Sequence, residues 1–327
     1  MTKLAIIGGG IAGRSLLYAL AKRKKNFSEI ILFDSDSFAH TCSLRSTAIV
    51  AARGVSSGLS ELGDVLMAGF QTFSEHVQND RPSGVFSITQ YSGALTKLEQ
   101  FQKRYPLGSA AKDFPSFKLT EETYIATEPA YLIDTNVYLK WLVDDSQVKN
   151  EFVTSVEKTA LGLEIKTQSG NSFTVDQVVY AGGSYNRNWN EKKAGKPVQG
   201  CYFEFNDFDL GQDSFSLTLE GDNLIYHAHT KKLLIGSTTS SDTHEIPARH
   251  ELEILYQRLS ERLVTQLPPI EAAQLITGMR EKAAKRAPYL SIEHDTAWLG
   301  GLYKNGFSLS LHLGLQLADR FDEISLS

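Results

Sequence analysis

LAIIGGGIAGRSLLYALAK, residues 4–22, admits two readings. It is either the apolar core of an export signal or the first strand, turn and helix of a nucleotide-binding fold. An export signal carries its positive charge ahead of the apolar run and ends in small residues at a cleavage site. Here Lys22, Arg23, Lys24 and Lys25 follow the run, and glycines interrupt it. The second reading accounts for more residues. Residues 3–7 form an apolar run suited to a buried parallel strand. Gly8, Gly10 and Gly13 fit G-x-G-x-x-G, with Ala12 inside the turn. In that pattern the first glycine permits a tight turn, the second lets a diphosphate approach the backbone, and the third lets helix and strand pack closely. Leu16, Leu17 and Leu20 give the helix an apolar face. The basic run sits at its C-terminal end, where cations suit the helix dipole.

Working outward, residues 29–33 read as a second strand that ends in Asp34. That acid lies about 20 residues past the last glycine, where a carboxylate accepts hydrogen bonds from a ribose. An acid there suits the free ribose of NAD or FAD and disfavours the 2′-phosphate of NADP. From these residues alone, NAD and FAD both stay open.

The bulk properties fit an ordinary globular chain. There are 327 residues, 42% of them hydrophobic, enough for a large core in two domains or one domain with an insertion. The net charge of −5 provides no chain-wide field for nucleic acid. No apolar run approaches the ~20 residues of a membrane span. Cys42 and Cys201 form neither a disulfide framework nor a metal site, and C-x-x-C is absent. A cytoplasmic location is expected.

Further landmarks follow in order. The segment HTCSLRSTAIVAARG (40–54) comes directly after Asp34. VDQVVYAGGSYNRNW (175–189) reads as a buried strand emptying into Gly182 and Gly183. KPVQGCYFEF (196–205) comes next. WLGGLYKNGFSLSLHLGLQLAD (298–319) reads as strand, glycine-rich turn and amphipathic helix. With the serine-containing loop at Ser43, DTNVYLKWLVDD (134–145) and Pro-Val-x-Gly (197–200), this series resembles the FAD-dependent amine oxidases of the D-amino-acid oxidase superfamily. Glycine oxidase and sarcosine oxidase belong to that group. So does the flavin domain of a bifunctional tRNA wobble-uridine enzyme. The resemblance covers most of the chain.

The resemblance implies an α/β protein: a Rossmann-like FAD-binding domain with a parallel sheet, plus a smaller antiparallel-sheet substrate domain. The FAD-binding part takes residues 1–80, 134–197 and 275–327, and the substrate part 81–133 and 198–274. FAD would lie with its diphosphate on Gly8, Gly10, Ala12 and Gly13 and its ribose on Asp34. Ser43, Arg45, Ser46 and Thr47 would sit beside the diphosphate and flavin, Val156 near the adenine, and Gly182 and Gly183 along the dinucleotide. Gly301, Asn305, Gly306 and Phe307 would close over the flavin, with a helix starting near Phe307 aimed at the ring. The residues disfavour two other flavoprotein types independently. There is no second fingerprint with a redox cysteine pair, and Gly300-Gly301 stands where flavin hydroxylases carry Gly-Asp.

Gly278-Met279-Arg280 matches the family's Gly-x-Arg, which presents an arginine to a substrate carboxylate. A planar guanidinium suits that task because it donates two parallel hydrogen bonds. The family often continues with an aspartate and then a proline. Here Lys285, Arg286 and Ala287 precede Pro288; the basic pair admits a different substrate, an anionic partner or a solvated face, and the last is the simplest account. Tyr303 is either a substrate contact or a packed aromatic. His227 and His229 share one strand face, and without a nearby cysteine or acid they are expected to be surface or hydrogen-bonded histidines rather than metal-binding or catalytic ones. Tyr202 and Glu204 share a face that can line the cavity. No metal is expected, and Cys42, His40 and His312 match no covalent flavin attachment.

A small amine or amino acid is the expected substrate, with oxygen or another electron acceptor, and nucleic acid is not an expected partner. The alternatives are a flavoenzyme acting on a modified tRNA base and a flavin-binding protein without turnover. Residues 200–239 read as an antiparallel meander, and residues 250–268 as an amphipathic helix ended by proline. The final ISLS is expected to lack fixed structure.

Overall fold

The computed structural model describes residues 2–35, 42–52, 55, 58, 60–113, 118–239, 249–284 and 287–324. His40, Lys285, Arg286 and most of the terminal ISLS therefore lie outside the described residues.

The opening stretch folds as its pattern dictates. β1 (Lys3–Ile7) runs into α1 (Ile11–Lys22) and then β2 (Glu29–Asp34). β1 is buried on both faces. Leu4 and Ile6 pack under α1, while Ala5 and Ile7 face the opposite layer. Truncating such a leucine to alanine typically costs about 2–5 kcal/mol. β1 lies at the centre of a six-stranded sheet. Its other members are β7 (Val148–Asn150), β11 (Gln177–Tyr180), β17 (Tyr289–Glu293) and β18 (Thr296–Gly300). The order is β17-β18-β11-β1-β2-β7, parallel except for the edge strand β17.

Helices cover one face of this sheet. α1 packs with α2 (Glu61–Asp80), α4 (Thr135–Leu142) and α7 (Gly306–Ile324) in a core that includes Leu16, Leu20, Phe73, Tyr138 and Leu317. The buried Arg14 ties α1 to the end of α4. Its guanidinium donates to the carbonyls of Gly9, Leu139 and Val143 and to the Asp145 carboxylate. The sheet's second face is covered by a three-stranded antiparallel sheet of β8 (Val153–Thr159), β9 (Gly162–Thr167) and β10 (Ser172–Val175).

The remaining strands form a nine-stranded sheet. They are β3 (Ile49–Ala51), β4 (Val85–Ala94), β5 (Ser109–Asp113), β6 (Lys118–Ile133), β12 (Lys196–Phe205), β13 (Phe215–Leu219), β14 (Asp222–His227), β15 (Lys232–Gly236) and β16 (Gln274–Lys282). Pairing is antiparallel except at β13–β4, which runs parallel. Thus the expected α/β class holds, with one parallel pair inside the second sheet. One face of this sheet carries the core of Phe203, Phe205, Leu217 and Leu233 beneath α6 (Arg249–Arg262). The other face carries Ile88, Leu132, Tyr202, Ile225 and Leu234. The remaining α-helices are the short α3 (Leu98–Arg104) and α5 (Asn186–Trp189).

Two details differ from the sequence reading. The helix expected over 250–268 ends at Arg262, because Leu263 bridges to Leu119 and the Val264 N–H donates to the Lys118 carbonyl. Residues 49–51 and 275–282, assigned to the FAD-binding segments, pair within the nine-stranded sheet. β16 aligns with β12 along its full length, from Gln274 opposite Glu204 to Lys282 opposite Lys196. Among the described residues, no helix is long and apolar enough to cross a membrane.

Candidate active site

A cavity of about 780 Å³ runs along the C-terminal ends of β1 and β2 to the end of β16. The glycine turn forms its floor. Gly8 has φ +112°, a region that favours glycine, and a Cβ there would lie 2.6 Å from the Ala181 carbonyl oxygen. A Cβ at Gly13 would sit 1.9 Å from the Gly8 oxygen, so the close packing of helix on strand depends on glycine. Gly10 instead fronts the cavity, where a Cβ would meet only the Ser43 hydroxyl at 3.1 Å. The Ile11 N–H donates to that hydroxyl at 2.9 Å, and Gly10 provides no side-chain cap. The N-terminus of α1 therefore opens on the cavity with the dipole and amides that suit an anion.

At one end lie Asp34, Ser35, Phe152, Val153 and Thr154. Val156, expected there, packs instead against the apolar layer of Phe33, Val153 and Val178. Gly182 and Gly183 form the wall beside β11, with Asn188 and Trp189. At the other end stand Met279, Arg280, Glu281, Leu302, Tyr303 and Gly306.

Arg280 projects from β16 into space that Gly200 leaves open; a Cβ at Gly200 would approach the guanidinium carbon to 2.4 Å. Its Nη2 donates to Ser237 Oγ at 3.1 Å, while Nη1 is buried without a hydrogen-bond partner. Burial pushes the neighbouring Cys42 thiol up, and the Arg280 guanidinium partly opposes that shift. Tyr202 faces the same groups, and burial raises its phenol well above the ordinary tyrosine value. Gly278 allows the Cys42–Arg45 segment to pass close above β16, with the Arg45 oxygen 3.4 Å from where a Cβ would be.

Of the remaining expected residues, Ser46, Thr47, Gly301, Asn305 and Phe307 surround the cavity without lining it, while Tyr303 lines it. Ser46 accepts the Ala48 N–H at 3.1 Å and, with Thr47, shapes the turn into β3. Gly301, at φ +71°, packs on Ala283 and Tyr289. Asn305 opens α7 by accepting the Leu309 N–H, and Phe307 is buried against Tyr138 in the helical core. Tyr303 holds φ +48°, a left-handed conformation that costs an ordinary residue roughly 1–2 kcal/mol. Its N–H donates to the Glu281 carbonyl at 3.0 Å. Lys282 and Lys304 each place an ammonium 5.7 Å from its ring centre.

Glu281 went unnoticed in the sequence. Burial pushes its carboxyl up, opposed by the Tyr289 hydroxyl and the Gly301 and Gly195 amides. Alternation along β16 could have marked it, but nothing local shows that this strand end is covered. His229 stacks on Phe86 with ring centres 3.9 Å apart, and His227 is buried. Among the described residues no group of three metal-ligating side chains occurs.

These residues fit FAD. The turn has the close packing and open helix N-terminus that a diphosphate needs, and the same cavity is lined by Asp34 at the end of β2, an acid of the kind that can hold a ribose, and by Arg280 on β16. The comparisons agree. The profile of FAD dependent oxidoreductases, the DAO family, matches residues 3–320. Glycine oxidase of Bacillus subtilis (strain 168) is 22% identical over 353 residues, spanning 96% of this chain and 91% of that protein. Glycine oxidase from Geobacillus kaustophilus superposes with a TM-score of 0.79 at 18% identity, covering 99% of this chain and 95% of that one. Iminodiacetate oxidase from Chelativorans sp. BNC1 superposes at 0.75 with 16% identity, covering 96% and 94%. The structural likenesses establish a common fold, and the profile match establishes the family: this chain belongs to the DAO family of FAD-dependent oxidoreductases.

Proposed function

We propose that the enzyme oxidises the C–N bond of a small amino acid or carboxylate-bearing amine. The observation that carries this reading is Arg280, a half-buried arginine lining the same cavity as Asp34, whose Nη1 is itself buried without a hydrogen-bond partner. A buried donor without a partner costs about 1–3 kcal/mol, more when charged, and a substrate carboxylate removes that cost. Two parallel hydrogen bonds from Arg280 would fix the substrate's orientation, and Ser237 would hold the guanidinium plane. The nine-stranded sheet thus supplies the substrate side, and the glycine turn, Asp34 and Gly182 the cofactor side. Flavin N5 supplies, when FAD is bound, the acceptor for a hydride from the substrate Cα. Tyr303 and Leu302 would wall the reacting carbon from solvent. No protein acid or base is required if the amine enters unprotonated and the imine hydrolyses in water. Oxygen or another acceptor would complete turnover. The unpaired Cys42 and Cys201 support a reducing, cytoplasmic setting.

The test is anaerobic reduction of the FAD-loaded protein by a panel of amino acids and their decarboxylated amines. Bleaching by amino acids, with at least tenfold slower bleaching by the matched amines, is expected. Equal rates for the two series would remove the role of Arg280. A flavin that no amino compound bleaches would favour a binding protein without turnover.

A further inference from the structure

A chain of buried hydrogen bonds joins the two walls of the cavity. The Gly182 N–H donates to Asn186 Oδ1 at 2.8 Å. Asn186 Nδ2 donates to the Tyr289 hydroxyl at 3.0 Å and to the Leu299 carbonyl at 3.4 Å. The Tyr289 hydroxyl donates to Glu281 Oε1 at 2.5 Å, and the Gly195 N–H donates to the same oxygen at 2.8 Å. Glu281 Oε2 accepts the Gly301 N–H at 2.8 Å. Asn186 is fully buried and Glu281 is 5% exposed. The backbone of Glu281 also accepts the Tyr303 N–H, so one residue grips the Gly301–Tyr303 turn at both ends.

The direction of these bonds fixes the charge. Gly182 can only donate, so Asn186 presents its oxygen to Gly182 and its NH₂ to Tyr289. The Tyr289 oxygen therefore accepts from Asn186, and its own proton points to Glu281. Gly195 and Gly301 are obligatory donors. Glu281 thus receives three hydrogen bonds and has no acceptor for a proton of its own, an arrangement that favours the carboxylate against the burial that pushes its pKa up. Burial and the adjacent carboxylate both push the Tyr289 phenol up, so it remains the donor. No lysine or arginine pairs with Glu281 among the described residues; backbone amides and one phenol neutralise it.

We propose that Glu281 is a positioning residue: its ionised carboxylate pins the Gly301–Tyr303 turn to the Gly182 wall, and its fixed negative charge at the Arg280 end of the cavity holds the reduction potential of bound FAD low. Both effects follow from placement. The turn and the wall come from distant parts of the chain, and Glu281 with Tyr289 and Asn186 joins them through side chains. A fixed negative charge in a site of low dielectric opposes electron uptake by a neighbouring group.

This inference rests on the assignment of the cavity to FAD, so FAD uptake by the wild-type protein is measured first. Wild-type protein that takes up no FAD would refute both. Given uptake, the dissociation constant and midpoint potential of bound FAD are then compared in wild type, Glu281→Gln and Tyr289→Phe. Glu281→Gln removes the charge and turns an NH₂ toward a backbone N–H. It is expected to weaken FAD binding at least tenfold and to move the potential to a more positive value. Tyr289→Phe cuts the chain but leaves the charge, so it is expected to weaken FAD binding severalfold with a smaller change in potential. An unchanged potential or an unchanged dissociation constant in Glu281→Gln overturns the proposal. Should that variant fail to fold, wild-type FAD affinity in Tyr289→Phe overturns it alone.

Discussion

At the level of single residues, Arg280 and Gly200 act as a pair. Val198 lies opposite Arg280 in the β12–β16 register, and Gly200 opposite Gly278, so Gly200 and Arg280 are diagonal neighbours on one face. An alanine methyl at Gly200 would overlap the guanidinium, the movable end of a long side chain. Gly200→Ala is therefore expected to displace Arg280 without unfolding the strand. The expected outcome is a KM for the amino-acid substrate raised roughly 10-fold or more, equivalent to about 1.4 kcal/mol, with the FAD dissociation constant unchanged. An unaltered KM would show that Arg280 does not hold the substrate from this position. Arg280 was legible in the sequence because Gly-x-Arg is a local pattern. Gly200 was legible only as part of Pro-Val-x-Gly, and its service to Arg280 arises from strand pairing. Glu281 was not legible at all, since its three donors come from Gly195, Tyr289 and Gly301, each in a different segment.

At the level of elements, β1, α1 and β2 were legible because glycine spacing and apolar periodicity act over short distances. The end of α6 was not. Its pattern continues to Pro268, but the edge of β6 captures Leu263 and Val264 first. β14 shows how an element sets the chemistry of its side chains. His227 faces inward on this strand, with Nε2 buried and unpartnered. Burial, with His229 adding, pushes its pKa down to about 4, against an ordinary value of 6.5. Between those values the unfolded chain binds a proton that the folded protein refuses. Stability from this group is complete above pH 6.5 and falls as pH drops toward 4, by about 3 kcal/mol in all. His227→Gln lacks that titration. Denaturant unfolding from pH 7 to pH 4 is expected to show a shallower loss of stability in the variant than in wild type. Parallel curves would show that His227 takes up its proton equally well in both states.

At the level of the whole molecule, the cavity exists because two sheets meet. The six-stranded sheet contributes the glycine turn, Asp34 and the Gly182 wall, and the nine-stranded sheet contributes Met279 and Arg280. The sequence showed both sets of residues but not their meeting, which depends on β16 pairing with the distant β12 and on β3 leaving the first segment to join β6. FAD held along this seam as proposed would contact both sheets, and its binding energy would be shared between them. A ligand that binds only the folded state at 1,000 times its dissociation constant adds about 4 kcal/mol of stability. In a chain of this size, that corresponds to a rise of roughly 5–10 °C in the unfolding midpoint. Calorimetry of the FAD-free and FAD-loaded protein should therefore show one transition moving upward as a unit. If the FAD-free protein unfolds in two steps, both should rise and merge on loading, because neither sheet can unfold without losing half of the site. A rise confined to one step would mean that FAD is held by one sheet alone, and that the Arg280 end of the cavity lies beyond its reach.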